Sequence, residues 1–220
     1  MNHNEIYISR FSAWAPGIEN AGEWKKWAEG KREMSRASIG PKIEFTDSMF
    51  RRRLSQISKM TIQVVHDLLP FEEETKMLFL SFHGELSRQF QVNKMQIQDG
   101  SSSPAAFSSS VFNAPVALAS MALGLKGGYT AVYPINNSIR AGLIAATAML
   151  NTGTADELVF IYADEEIPEE YSALVSEPLP PFAFSILLSR KPCNGSVYYL
   201  IDEKEIGPGD FLRFLFLNQQ

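Results

Sequence analysis

Residues 103–165 read SPAAFSSSVFNAPVALASMALGLKGGYTAVYPINNSIRAGLIAATAMLNTGTADELVFIYADE. Asn113 to Leu123 is apolar around most of its circumference and reads as a buried helix. Gly124, Gly127 and Gly128 turn the chain, and Tyr129 to Tyr133 reads as a strand. A second helix starts near Ser138. The side-chain oxygens of Asn136, Asn137 and Ser138 can each satisfy an orphan backbone N–H there. This helix carries Ala141, Gly142, Ala145, Ala146 and Ala148. Small residues on several faces predict tight packing on all sides. Leu158 to Ala163 is a continuous apolar run, as in a strand buried on both faces. Strands alternating with helices predict α/β layers.

The flanks extend the pattern. Met77 to Phe82 (MLFLSF) is a second buried strand, Glu85 to Val92 reads as helix, and Asp99 to Ser110 is a Gly-, Ser- and Pro-containing long loop. Glu5 to Ser12 alternates apolar and polar residues and reads as a strand. A turn follows at Pro16-Gly17, then a short helix over Gly22 to Glu29 and a polar loop over Lys31 to Pro41. Thr46 or Asp47 caps one long helix with Met49, Leu54, Ile57, Met60, Val64 and Leu68 at helical spacing, stopped by Pro70. Beyond the quoted stretch, Glu165 to Glu177 reads as a solvated acidic loop. Phe182 to Leu188 and Val197 to Ile201 read as strands joined by a turn at Asn194-Gly195. Phe211 to Leu217 is apolar without a diagnostic period. Residues 1–220 form one domain, with 191–220 as a C-terminal extension whose packing the sequence leaves open.

The chain has 220 residues, 45% hydrophobic and 20% charged, enough for a real core. With a net charge of −5 and only Arg51-Arg52-Arg53 as a basic run, nucleic acid is not an expected partner. The single cysteine, Cys193, excludes an internal disulfide and disfavours a cysteine metal site. No run approaches the roughly 18–20 apolar residues that span a bilayer, and no signal core precedes Arg10. A cytoplasmic protein, free of the membrane and without a cofactor, is expected.

An ordered series in the central block resembles the N-terminal half of β-ketoacyl synthases. Ser110-Val111-Phe112-Asn113-Ala114 opens the buried helix. Gly124-Leu125-Lys126-Gly127-Gly128 is similar to that family's G-L-x-G-P turn. The strand, the tight turn and the Ala-rich helix follow. Gly153, Ala155-Asp156 and Ala163-Asp164-Glu165 then resemble its G-x-A-D…G-x-E run. The resemblance implies a thiolase-like fold, N-terminal half only, layered helix-sheet-helix and truncated relative to full ketoacyl synthases. Pro41 through Ser55, with Met49-Phe50-Arg51-Arg52-Arg53-Leu54-Ser55, is similar to short members described as chain-length-factor subunits of bacterial aryl polyene clusters. That likeness covers about residues 5 to 190.

Active members of the family carry a cysteine at the strand-to-helix elbow, where the helix N-terminus favours the thiolate. The resemblance places Ile135 at that position. No cysteine or glutamine occurs between Tyr129 and Leu150, and isoleucine cannot accept an acyl group. The histidines of the family's second half have no positions to occupy. The resemblance therefore implies a catalytically empty subunit that pairs with an active ketosynthase as a heterodimer, in type II polyketide or fatty-acid-like synthesis fed by acyl carrier protein. Tyr129, Thr130, Ala131, Val132 and Tyr133 would form the strand that pairs across the dimer. The loop from Pro104 to Asn113 would wall the partner's acyl tunnel, with Phe107, Phe112 and Asn113 as the tunnel-facing residues; the plainer reading of both phenylalanines is core.

Two alternatives remain open in the sequence. One is a stand-alone acyltransferase or hydrolase using Ser138 or His83; the plainer readings are a helix cap and a loop-end histidine. The other is a docking module for acyl carrier protein. His66, His3 and Cys193 read as incidental. Asp164, Glu165, Glu166, Glus at 169 and 170 read as a solvated loop that can also face a basic partner.

Overall fold

A computed structural model describes residues 5–101, 103–134, 137–153, 156–175, 178–192 and 195–218. Its core is a six-stranded mixed sheet. The strands are β1 (Glu5–Trp14), β2 (Lys76–Leu80), β3 (Tyr129–Val132), β4 (Glu157–Asp164), β5 (Phe182–Ser189) and β6 (Val197–Leu200), in the order β3-β2-β4-β5-β1-β6. β3, β2 and β4 run parallel. β5 is antiparallel to both β4 and β1, and β6 is antiparallel to β1. The sequence predicted β5 and β6 as strands joined by a turn; β1 lies between them and makes both pairings.

The continuous apolar runs are buried on both faces, as expected where helices cover each side. Alternate residues feed two cores. Leu78, Leu80, Leu158, Phe160, Tyr162, Phe184 and Ile186 point to one side. They meet α1 (Ala21–Ala28), α7 (Arg140–Asn151) and α8 (Pro208–Asn218). Met77, Phe79, Val159, Ile161 and Leu187 point to the other side, toward α3 (Gln56–Leu68) and α6 (Ala114–Leu123). On that face the Ser185 hydroxyl donates to the Val64 carbonyl at 2.7 Å, satisfying a polar group that burial would otherwise penalise. The tail thus contributes an edge strand and a packed helix: Phe211, Leu212 and Leu215 are fully buried.

The long helix predicted from Asp47 to Leu68 is two helices. Asp47 caps α2 (Ser48–Arg51), accepting from the Met49 and Phe50 N–H groups, and Ser55 caps α3, accepting from the Ser58 N–H at 3.1 Å. A second capping residue within the run restarts the helix. The predicted loop before Ser110 contains the end of α4 (Leu86–Asp99) and a short helix α5 (Pro104–Ser108), with Ser103 accepting from the Ala106 N–H. The all-round burial expected for α6 and α7 is also corrected. Met121 on α6 and Ile144 on α7 are exposed, because each helix packs on the sheet by one face.

The layered α/β architecture is as expected: among the described residues, a six-stranded mixed sheet lies between helical layers. No helix among the described residues is long and apolar enough to cross a membrane.

Candidate functional site

β3 is a sheet edge. It pairs with β2 through Met77↔Tyr129 to Leu80↔Val132 and has no strand on its other side among the described residues. Its outer row of backbone N–H and C=O groups is therefore free to pair with another chain. Tyr129 and Thr130 are exposed, Ala131 and Val132 half-buried, and Tyr133 is 69% exposed.

Beside this edge stands the segment that leads into α6. Phe107 projects from α5 and is 61% exposed, so it is not core. Phe112 is half-buried. Its ring lies edge-on to Tyr133 at 6.3 Å and against Phe79 at 6.2 Å. Gly84 makes room for it: a Cβ there would come within 2.7 Å of the Phe112 ring, and the residue's φ of 56° already favours glycine. The Asn113 side-chain amide donates to the Tyr129 hydroxyl at 3.2 Å, tying this segment to the edge strand. Of the three residues expected to face a tunnel, Phe107 alone projects freely, whereas Phe112 and Asn113 brace the edge.

Behind Phe107, α2, α4, α5 and α6 enclose an open groove. Leu54, Val92, Met95, Val111 and Met121 line it, together with Arg53 and Arg88. α4 buries Val92 alone among its described residues, and its last turns carry exposed Met95 and Ile97. Sequence reading missed this surface because it ended the helix at Val92.

The elbow between β3 and α7 contains Ile135, which lies outside the described residues, as does Cys193. Asn137 follows in the left-handed region, a conformation asparagine tolerates. Ser138 is buried, and its hydroxyl oxygen accepts from the Arg140 and Ile206 N–H groups at 3.2 and 3.3 Å. Ile139, not Ser138, is the cap residue of α7; Ser138 sits one position before it and its hydroxyl oxygen serves the first helical N–H and the chain at Ile206. Among the described residues no hydrogen bond joins Ser138 to His83.

The acidic segment is corrected in part. Asp164 and Glu165 are buried, while the residues at 169 and 170 are exposed. Asp164 accepts from the Ser81 hydroxyl at 2.7 Å and from the Phe82 and His83 N–H groups at 2.9 and 3.0 Å, which fixes the turn after β2. Burial pushes its carboxyl up, with the nearby His83 opposing. Glu165 accepts from the Ile57 N–H at 3.1 Å, and burial, then the neighbouring Glu85, push it to about 7. Glu85 accepts from the Ser55 and Ser58 hydroxyls at 2.6 and 2.5 Å, and burial raises it. Neither Glu85 nor its partner Arg88 was singled out by the sequence, where an exposed helix start looks the same as a buried one. No cluster of three or more His, Cys, Asp or Glu side chains suited to a metal ion occurs among the described residues.

Residues 24–205 match the family described as "Beta-ketoacyl synthase, N-terminal domain". No curated protein matches the sequence. The fold is similar to a chain in the complex of the ketosynthase ApeO with its chain length factor ApeC from Xenorhabdus doucetiae. There the TM-score is 0.72 at 26% identity, over 84% of this chain and 79% of that one. It is also similar to a chain of the ishigamide ketosynthase/chain length factor (TM-score 0.68, 13% identity, 85% of this chain and 62% of that one). A third likeness is to a chain of a type II polyketide synthase acyl-carrier protein in complex with its ketosynthase bound to the hexaketide (TM-score 0.64, 13% identity, 85% and 64%). The chain thus spans under two thirds of the latter two, and at their identity the likeness is one of fold.

Proposed function

The chain belongs to the β-ketoacyl synthase N-terminal domain family, and from that premise we propose that it is a non-catalytic, chain-length-factor-like subunit. It pairs through β3 with an active ketosynthase in the cytoplasm and bounds the acyl tunnel of the complex. Acyl carrier protein delivers the growing chain, and the product is an aryl polyene or related polyketide. The observation that carries this reading is the open edge of β3 with the projecting Phe107 beside it. A free parallel edge is a template for strand addition, and a heterodimer covers it.

The absence of cysteine from Tyr129 to Leu150 supports a subunit that does not itself form the acyl thioester. The Ser138 hydroxyl oxygen accepts from two backbone N–H groups and, among the described residues, has no hydrogen bond to a histidine, which disfavours a stand-alone hydrolase built on it.

Co-expression with the ketosynthase encoded nearest to this chain, followed by affinity capture, tests the pairing. The expected result is a one-to-one complex whose condensation activity requires this chain and whose product lengthens in Phe107→Ala. Acyl transfer or hydrolysis by this chain alone, without complex formation, overturns the reading.

A further inference from the structure

Arg88 joins three elements. Its Nη1 donates to the Ser109 hydroxyl at 2.7 Å, its Nη2 to the Arg53 carbonyl at 2.8 Å, and its Nε lies 3.5 Å from Glu85 Oε2. Ser109 in turn donates to the Ala105 and Ala106 carbonyls at 2.9 and 3.1 Å. The guanidinium therefore grips α5 through one hydroxyl. α5 buries none of its own residues, so apolar packing contributes little to its position. What Arg88 holds is the arm that carries Phe107.

The anchor of this grip is the buried pair Glu85 and Glu165, 1% and 8% exposed. One oxygen of each accepts the hydrogen bonds already described. The other two, Glu85 Oε2 and Glu165 Oε1, accept none among the described residues. Two buried carboxylates against one guanidinium leave an unbalanced charge, and an uncompensated buried charge is costly.

We propose that Arg88 is a positioning residue that fixes the Phe107 arm to the body of the protein, and that the Glu85–Glu165 pair retains one proton so that a single guanidinium balances it. The other groups facing the pair do not supply a second cation. Among the described residues they are the Ser55 hydroxyl at the cap of α3, the Ser58 hydroxyl and the Ile57 N–H from α3, and Ser87 from α4. His83 lies against Asp164, and Arg36 is occupied with Glu166 at 2.6 Å. When Glu165 loses its proton, Arg88 is drawn toward two carboxylates and its hold on Ser109 weakens. The clamp is a property of this chain alone. Only its consequence for product length rests on the tunnel reading of Phe107.

Hydrogen exchange of amides 103–110, corrected for the intrinsic effect of pH and followed from about pH 5.5 to 8.5, tests the clamp, with β4 amides as the control for folding. Wild-type arm protection should fall as pH rises through about 7. In Glu165→Gln it should stay flat, and in Arg88→Gln it should drop about tenfold at every pH while β4 is unchanged, the loss expected of a charged hydrogen bond. Wild-type protection of the arm in Arg88→Gln, or a pH dependence that survives in Glu165→Gln, overturns the proposal. Should Arg88→Gln also unprotect β4, Ser109→Ala removes the grip together with that hydroxyl's own bonds to Ala105 and Ala106 while leaving the Arg88–Glu85 contact, and a normally protected arm in that variant overturns it equally. Product length in the ketosynthase complex separates the two readings. A loosened arm with unchanged product removes the tunnel role and leaves the clamp, whereas an unchanged arm removes the clamp whatever the product.

Discussion

Strands β4 and β3 flank β2 on either side, both parallel to it over Met77 to Leu80. Every residue of β4 from Leu158 to Asp164 is buried, whereas β3 has no buried residue. The same sheet is thus a closed core at one neighbour of β2 and an open face at the other. Apolar side chains on β4 act in folding. Around β3, Tyr129, Tyr133, Phe107 and Met121 are exposed, as the proposed partner-facing surface requires.

Substitutions should separate the two regions in a graded way. Phe160→Ala on β4 empties a fully buried site stacked on Phe184 and should cost about 3–5 kcal/mol by denaturant titration of the isolated chain. A cost under about 1 kcal/mol would break the contrast.

The next effect is a pH dependence from the buried side. Glu165 is raised to about 7 in the folded chain, so between its ordinary value of 4.5 and that point the folded form keeps a proton the unfolded form has lost. Stability is fully present below that window and falls as pH rises through it, by at most about 3 kcal/mol. Thermal unfolding of Glu165→Gln across the same range should show this slope removed.

On the open side, Tyr129→Lys with Tyr133→Lys should cost about 1–2 kcal/mol, for the lost Asn113 hydrogen bond and Phe112 contact, and abolish capture of the ketosynthase. Phe107→Ala should be the mildest of all, neutral for folding within about 0.5 kcal/mol and detectable as a longer product. Unfolding by either change would assign these side chains to the core and erase the comparison.

Much of the closed region was legible in the sequence. Uninterrupted apolar runs such as those of β2, β4 and β5 have few places to go other than a covered sheet, and the Ala-rich α7 sits where its spacing put it. Tyr129 to Tyr133 was legible as the edge strand by resemblance, though its own composition does not distinguish an edge from a centre. The misreadings share one cause, dependence on distant partners. Glu165 is polar and follows a strand, so it read as solvated; it is buried because the Ile57 N–H at the start of α3 awaits it. The run from Asp47 to Leu68 read as one helix because periodicity carries through Ser55. The break is set by that residue's cap and its bond to Glu85, thirty positions away in sequence. Phe107 read as either core or tunnel, and only its 61% exposure on α5 decides against core.

The position of β1 between β5 and β6 has a consequence for biosynthesis. Its partners in β5 run from Ala183 to Ser189, opposite Trp14 to Tyr7. A ribosome adding about 5–20 residues per second therefore leaves the amino-terminal strand without its mate for roughly ten to thirty-five seconds after emergence. Ile6 and Ile8, fully buried at the end, spend that interval uncovered. β1 is made before the other strands of its sheet and is among the last to be enclosed, and a chaperone that recognises extended apolar segments has its natural opening there.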